Sequence, residues 1–449
     1  MAVEKSLDRK LAEIRAKSDT RTFIIADAKD PDVAYGMKAP GRSPEYYGEE
    51  VRIRSLAEFR QCIRDVVHQG EVDIVLMSPS TSEILVHEER LFDTSHVTPA
   101  CRTNDTTDIH FARGANYPRQ ASRPFRTPTL DHVICGHLEC SPGEETRGVN
   151  LGLYSVTFNN DAERDRETIE AFKQFWMEAE RRKFRYFLEV FDPNIPGAVD
   201  PELIGAFIND MIARTLAGVT KAAKPIFLKM VYHGPKFMEE LVHYDPDLIP
   251  GVLGGASGTT RDAFQLIHDS QKYGARVALF GRKINNSEHQ LAFIKFLRLI
   301  VDGEIGPEEA VRAYHGVLQE LGIRPYRSLE DDMQITNPSM SYGLDSAVAK
   351  PVEMRPAPAA AGAPSPAPAA PATVSSAPTP SPLPAPASVA QVKPAVAPSS
   401  RPESPSPAAA RKADDDIPRR PDGTPDFDRM TIDQKIAYNK RERDRIFGW

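Results

Sequence analysis

The sequence has no apolar run that approaches the length of a bilayer-spanning helix, so nothing in it predicts a membrane anchor. It has no surplus of positive charge. Lys and Arg number 56 against 63 Asp and Glu, for a net charge of −7, and a nucleic-acid binder would want a basic surface. Cysteine is scarce, with only Cys62, Cys101, Cys135 and Cys140. The spacing Cys135-x-His137-x-x-Cys140 is half of a metal-site pattern, but no second half follows. The expectation is therefore no metal and reduced, mostly buried thiols. The segment Met1 to Lys17 lacks an apolar signal core and has a charged, helical pattern, which makes a cytoplasmic protein the expectation. Large apolar residues are almost missing from 351–410, where 17 of the 39 prolines fall among Ala and Ser. Such a segment cannot bury a core, so a disordered linker is expected over 346–412.

What the chain does have is regular alternation. Short apolar runs fall at Thr22–Ala28, Val72–Met77, His96–Arg102, Gly148–Phe158, Tyr186–Phe191, Pro225–Val231, Ile249–Leu253 and Ala275–Phe280. Segments of helical periodicity follow most of them, among them Ser55–His68, Asp161–Arg182, Pro201–Leu216, Pro235–His243 and Arg261–Tyr273. Helices Ser287–Val301 and Pro307–Leu321 close the series. Eight buried strands separated by helices predict a (β/α)8 TIM barrel over 21–345, preceded by an N-terminal helix in 1–20. A doubly wound open sheet fits the same spacing. Residues 104–147 are polar, rich in Arg and Pro and too long for a plain connection, and Leu130–Cys135 reads as an extra strand within them. Beyond the linker, the tail 413–449 carries a capping-box pattern, Thr431-Ile432-Asp433-Gln434, that would open a short helix.

One residue interrupts the apolar run of the sixth strand. Lys229 lies in Lys224-Pro225-Ile226-Phe227-Leu228-Lys229-Met230-Val231-Tyr232-His233-Gly234-Pro235. Burial strips hydration from an ammonium and favours the free amine, which is what a Schiff-base nucleophile needs. An ion-paired lysine, or one snorkelling out of the strand end, reads the same way in sequence. In a barrel the strand C-termini converge on one mouth, and Asp27, Arg102, Glu189, Lys229, Gly254-Gly255 and Gly281-Arg282 all lie at such ends. Glu189, an acid in an apolar strand, has Lys229 as its natural partner. The glycine turns after the last two strands can expose backbone N–H groups to an anion, with Arg282 adding a charged contact. Arg102, Arg113 and Arg119 are candidates for a second phosphate. Tyr232 reads as a packing residue, with proton donation as the other reading.

These residues carry a resemblance. Leu228-Lys229-Met230-Val231-Tyr232-His233-Gly234, then Gly254-Gly255 with Thr259 and Thr260, then Tyr273-Gly274-Ala275-Arg276-Val277-Ala278-Leu279-Phe280-Gly281-Arg282 resemble the C-terminal part of class I, Schiff-base aldolases of the DhnA and archaeal fructose-bisphosphate type. Tyr186-Phe187-Leu188-Glu189 and Ile25-Ala26-Asp27-Ala28-Lys29 are similar to strands of the tagatose-bisphosphate and sulfofructose-phosphate aldolases. The chain departs from those patterns at Lys29, where they have Arg, and at Lys283, where many have Asn. The resemblance implies that Lys229 forms the Schiff base, that Asp27 assists proton transfer or carbinolamine handling, and that the two late loops, with Gly254, Gly255, Gly281 and Arg282, hold a substrate phosphate. Glu189 is the second acid of the acid/base pair expected to move protons. It implies a lyase of carbohydrate metabolism that needs no cofactor or metal, because an iminium supplies the electron sink. The partners expected are a phosphorylated sugar, further copies of the chain and a protein docked on the tail helix, with neither nucleic acid nor membrane. A non-catalytic sugar-phosphate-binding barrel, and a phosphosugar isomerase or synthase, are the alternatives.

Overall fold

A computed structural model of the chain describes residues 3–17, 21–47, 50–109, 114–146, 148–255 and 258–337, and farther on only Pro418, Arg419, Arg429, Thr431 and Gln434. The chain divides into two compact units, 1–357 and 358–449. In the second, Thr431 N–H donates to Gln434 Oε1 at 2.8 Å and Gln434 N–H donates to Thr431 Oγ1 at 3.2 Å, the reciprocal bonds of a capping box. The linker and the remainder of the expected tail helix lie outside the described residues.

The first unit is built on β1 (Ile24–Lys29), β2 (Ile74–Met77), β3 (Thr98–Arg102), β4 (Leu151–Thr157), β5 (Arg185–Phe191), β6 (Leu228–Met230), β7 (Gly251–Leu253) and β8 (Val277–Phe280). Each pairs in parallel with its neighbour, and β1 pairs with both β2 and β8, so the sheet closes into an eight-stranded barrel. The open-sheet alternative is thereby excluded. Helices α1 (Ser6–Ala16), α2 (Leu56–Gln69), α3 (Ala162–Arg181), α4 (Ile204–Leu216), α5 (Pro235–Tyr244), α6 (Thr260–Lys272), α7 (Gln290–Val301) and α8 (Pro307–Glu320) accompany it. Their ends follow local chemistry. Ser55 and Glu58 form a capping box at α2, which stops at Gly70 in the left-handed region, and Thr259 and Asp262 form another at α6.

Side chains alternate across each strand, and the barrel wall sorts them into two clusters. Ile24, Ala26, Ala28, Ile74, Leu76, Ala100, Leu153, Phe187, Phe227 and Leu279 fill the interior, with Leu7 and Leu11 of α1 packed into the same cluster. Ile25, Val75, Met77, Cys101, Tyr154, Leu188, Met230, Val252 and Phe280 belong to the outer cluster beneath the helices. At the α1 end, Lys5 Nζ donates to the carbonyls of Phe92, Ser95 and Val97 at 2.8, 2.6 and 3.1 Å. Asp73, buried there, accepts from Lys10 Nζ at 2.9 Å, from Arg298 Nη2 at 2.8 Å and from Ile25 N–H at 2.9 Å.

Two local expectations change, and one further element appears. Leu130–Cys135 is a short α-helix rather than a strand, because Thr129 caps its start and Gly136 its end, and Arg182 pairs with Asp131 to tie it to the barrel. Cys135 and Cys140 are joined in a disulfide rather than reduced, since the turn between them brings their Cα atoms to 5.7 Å, within bridging reach. The glycine- and proline-rich stretch after β1 contains an antiparallel pair, Arg42–Tyr47 with Glu50–Ile53. Among the described residues no helix is long and apolar enough to cross a membrane.

Candidate active site

The register of β4, β5 and β6 sets Ser155, Glu189 and Lys229 side by side at one level. All three have the interior parity of Leu153, Phe187 and Phe227, two residues earlier on their strands. Lys229 Nζ lies 2.5 Å from Glu189 Oε1, with the two side chains only 8% and 2% exposed. The other carboxylate oxygen, Oε2, accepts from Ser155 Oγ at 2.6 Å and stands 3.6 Å from Arg102 Nη2. Both oxygens of Glu189 are therefore held, which is what a buried carboxylate requires.

Arg102, at the end of β3, is buried and nearly fully paired. Its Nε donates to Asp30 Oδ2 at 2.5 Å, and its Nη1 donates to Ser155 Oγ at 3.1 Å and to the carbonyl of Asn104 at 3.3 Å. Burial opposes the charge, but Asp30, then Glu189 and Asp105, win, and the guanidinium's pKa is held above its ordinary value. A chain of groups, Asp30–Arg102–Ser155–Glu189–Lys229, thus crosses the mouth through five strand ends.

Asp27 is not in that chain. It and Lys29 share the parity of Ile25, and Asp27 lies in register with Phe280 and Val75 of the outer cluster. Its carboxylate sits 3.0 Å from Lys29 Nζ, both side chains fully buried. The separation is that of an ion pair, but the alignment falls short of a hydrogen bond, so neither group is satisfied by a directed partner. Burial pushes the Asp27 carboxyl up, with Lys29 only partly opposing. The acid that reaches the mouth is Asp30, just past the end of β1 and three residues on, which sequence reasoning passed over. Its signal was Arg102, an arginine in an apolar strand that needs a carboxylate.

Gly254 after β7 and Gly281 after β8 are packed rather than open. A Cβ on Gly254 would come within 2.2 Å of the Phe280 ring, and one on Gly281 within 2.9 Å of the Ala28 carbonyl. The Gly254 N–H already donates to Leu279 O at 2.8 Å, so this amide serves the sheet. Gly255 has φ +55°, a conformation that favours glycine. Arg282 begins the four-residue helix Arg282–Asn285, and its guanidinium lies 5.6 Å from the centre of the Tyr35 ring.

The long segment after β3 folds back over the ends of β4 and β5. Asn104 Nδ2 donates to Ser155 O at 2.8 Å while Ser155 N–H donates to Asn104 Oδ1 at 2.6 Å. Asp108 accepts from Ser122 Oγ at 2.6 Å and from Thr157 Oγ1 at 3.1 Å. Asn194, after β5, donates to the carbonyls of Gln120 and Pro118 at 2.7 and 3.1 Å. Asp192, also after β5, bonds His233 Nε2 at 2.8 Å. Tyr232 is buried in the outer cluster. Arg119 is exposed, and Arg113 lies outside the described residues.

No protein family and no curated relative matches the chain. Solved structures do resemble it in fold. An archaeal fructose 1,6-bisphosphate aldolase is 16% identical, covers 66% of this chain and 100% of its own, and gives a TM-score of 0.46. A second archaeal fructose-1,6-bisphosphate aldolase structure, with its catalytic lysine covalently bound to the carbinolamine intermediate, is also 16% identical. It covers 66% of this chain and 99% of its own, at a TM-score of 0.46. The fructose-bisphosphate aldolase of Slackia heliotrinireducens is 12% identical over 68% of this chain and 89% of its own, at a TM-score of 0.49.

Proposed function

We propose that the chain is a class I aldolase that cleaves or forms a C–C bond in a phosphorylated sugar through a Schiff base on Lys229. The observation that carries this reading is the Lys229–Glu189 pair inside the barrel mouth, with the second carboxylate oxygen tethered by Ser155. An amine 2.5 Å from a carboxylate has a proton acceptor within reach, so Glu189 serves to take the proton as the amine attacks a carbonyl. The carbinolamine then loses water, with Glu189 returning the proton, and the iminium accepts the electron pair of the breaking C–C bond as Glu189 takes the proton of the hydroxyl on the departing carbon. Ser155 and Arg102 fix the Glu189 carboxylate, and Asp30 fixes Arg102. Asp27 enters this reading as the structural partner of Lys29.

The phosphate belongs at the β7–β8 side. Gly254 and Gly281 keep the backbone low where side chains would collide with Phe280 and Ala28, Gly255 turns the chain, and Arg282 supplies the cation. The test is chemical. The full-length protein, incubated with fructose 1,6-bisphosphate, fructose 1-phosphate or fructose 6-phosphate and reduced with borohydride, should carry the ligand mass on the peptide containing Lys229. Absence of an adduct with every sugar phosphate tried defeats the Schiff-base reading and leaves a binding barrel.

A further inference from the structure

The two halves of the mouth differ in charge, and the difference bears on the substrate. On the β7–β8 side stand Arg282 and the glycine turns. On the β1–β5 side stand Asp30, Asp32, Asp105, Asp108 and Asp192. Each contacts a group at a strand end: Arg102 for Asp30 and Asp105, Ser78 for Asp32, Thr157 for Asp108, His233 for Asp192. Two cations of that half, Arg102 and His233, are already engaged. Arg102 is held by Asp30 at 2.5 Å and shared with Glu189, and His233 is bonded to Asp192 at 2.8 Å. Burial, with a smaller contribution from Asp30, pushes the Asp32 carboxyl up although Ser78 hydrogen-bonds it. The neutral groups there are hydroxyls and amides: Ser122, Thr157, Asn159 and Asn194, already linked to one another and to the acids.

We propose, on the aldolase reading, that the substrate is a monophosphate. Its single phosphate lies on the Arg282 side, and the rest is an uncharged, hydroxyl-bearing chain directed toward the acidic half. A carboxylate accepts hydrogen bonds from sugar hydroxyls and repels a phosphate dianion, and both effects strengthen as water is excluded. A second phosphate at the far end would meet these acids. The acidic half is then the part of the mouth that sets specificity: of the arginines expected to hold a second phosphate, Arg102 is neutralised from within and Arg119 is exposed on the covering loop.

The experiment compares fructose 1-phosphate, fructose 6-phosphate and fructose 1,6-bisphosphate by calorimetric titration of the full-length protein. At least one monophosphate should bind about tenfold or more tightly than the bisphosphate, the scale of repulsion between a dianion and partly screened carboxylates. Asp192→Asn, which keeps the hydrogen bond to His233 and removes the charge, should narrow that gap by about threefold or more. A bisphosphate that binds as tightly as the better monophosphate, no binding of either monophosphate, or a gap untouched by Asp192→Asn overturns the proposal. The two readings fail separately. Tight monophosphate binding without a borohydride adduct on Lys229 sinks the aldolase and spares the specificity. An adduct that forms as readily with the bisphosphate does the reverse.

Discussion

Two buried lysine–carboxylate pairs sit on opposite faces of one barrel wall. Lys29 and Asp27 are two residues apart on β1, face the helices and are fully enclosed, 3.0 Å from each other with no aligned hydrogen bond. Lys229 and Glu189 are on adjacent strands, face the interior and share Glu189 with Ser155 and Arg102. In composition the pairs are alike. In consequence they differ, because desolvating two charges is repaid only where further hydrogen bonds satisfy the carboxylate. The outer pair is a closed balance in which each charge depends on the other alone. The inner pair belongs to a network that would keep Glu189 in place if the amine were consumed by a substrate, which a Schiff-base enzyme requires at every turnover.

That contrast can be broken from either side. Lys229→Met should lower turnover by about a thousandfold or more, since no other group supplies the amine. Its unfolding midpoint in urea should move little, because Ser155 and Arg102 still hold Glu189. A variant with wild-type turnover ends the Schiff-base mechanism. Lys29→Met should do the opposite. It strands a buried carboxylate and should cost about 3–5 kcal/mol of stability, while the activity per folded molecule stays near wild type. Adding Asp27→Asn should restore most of the loss, and a double variant no more stable than Lys29→Met would show that the two residues are not partners.

The pH dependence sharpens the same point. Burial raises the Asp27 carboxyl already, and without Lys29 it should rise further. A group whose folded pKa lies above its unfolded value of about 3.9 destabilises the fold as pH rises past that value. Lys29→Met should therefore lose stability as the pH climbs from about 4, and recover it on acidification. Denaturant titrations at several pH values read this directly.

A smaller effect is expected at the Arg282 side. Arg282→Ala should weaken binding of a phosphorylated ligand by about 1.5–3 kcal/mol, the range for a charged hydrogen bond, and leave the unphosphorylated ligand unaffected. Equal affinity of the wild type for both ligands would remove the phosphate site. The smallest effect of all belongs to the tail. Truncation after residue 350 should leave melting temperature and turnover unchanged, because the Pro/Ala-rich stretch has little apolar area to bury. Loss of most turnover in the truncated protein would instead make the tail part of the catalytic unit.

Much of the architecture was legible from local pattern. The strand–helix alternation that placed Lys229 on the sixth strand and Glu189 on the fifth depends on apolar period and turn residues, which are local. Their pairing depends only on two neighbouring strands being parallel and in register. Leu130–Cys135 was misread because six apolar-leaning residues fit a strand or a helix equally well, and Thr129 and Gly136, the caps that decide it, act through geometry. The disulfide was missed because a turn, not the spacing, brings Cys135 to Cys140.

The sequence by itself determined a barrel-forming alternation, a lysine and a glutamate on adjacent strands, and a glycine-rich pair of turns at the last two. Only the tertiary structure decided which acid at the end of the first strand, Asp27 within it or Asp30 just past it, belongs with them. A parallel strand buried on both faces is apolar at odd and even positions alike, so its pattern does not say which parity points inward. Asp27 and Asp30 are separated by an odd number of residues and so fall on opposite faces. Closure of the sheet turned Ala26, Ala28 and Asp30 toward Arg102 and the mouth, and left Asp27 with Lys29 beneath the helices.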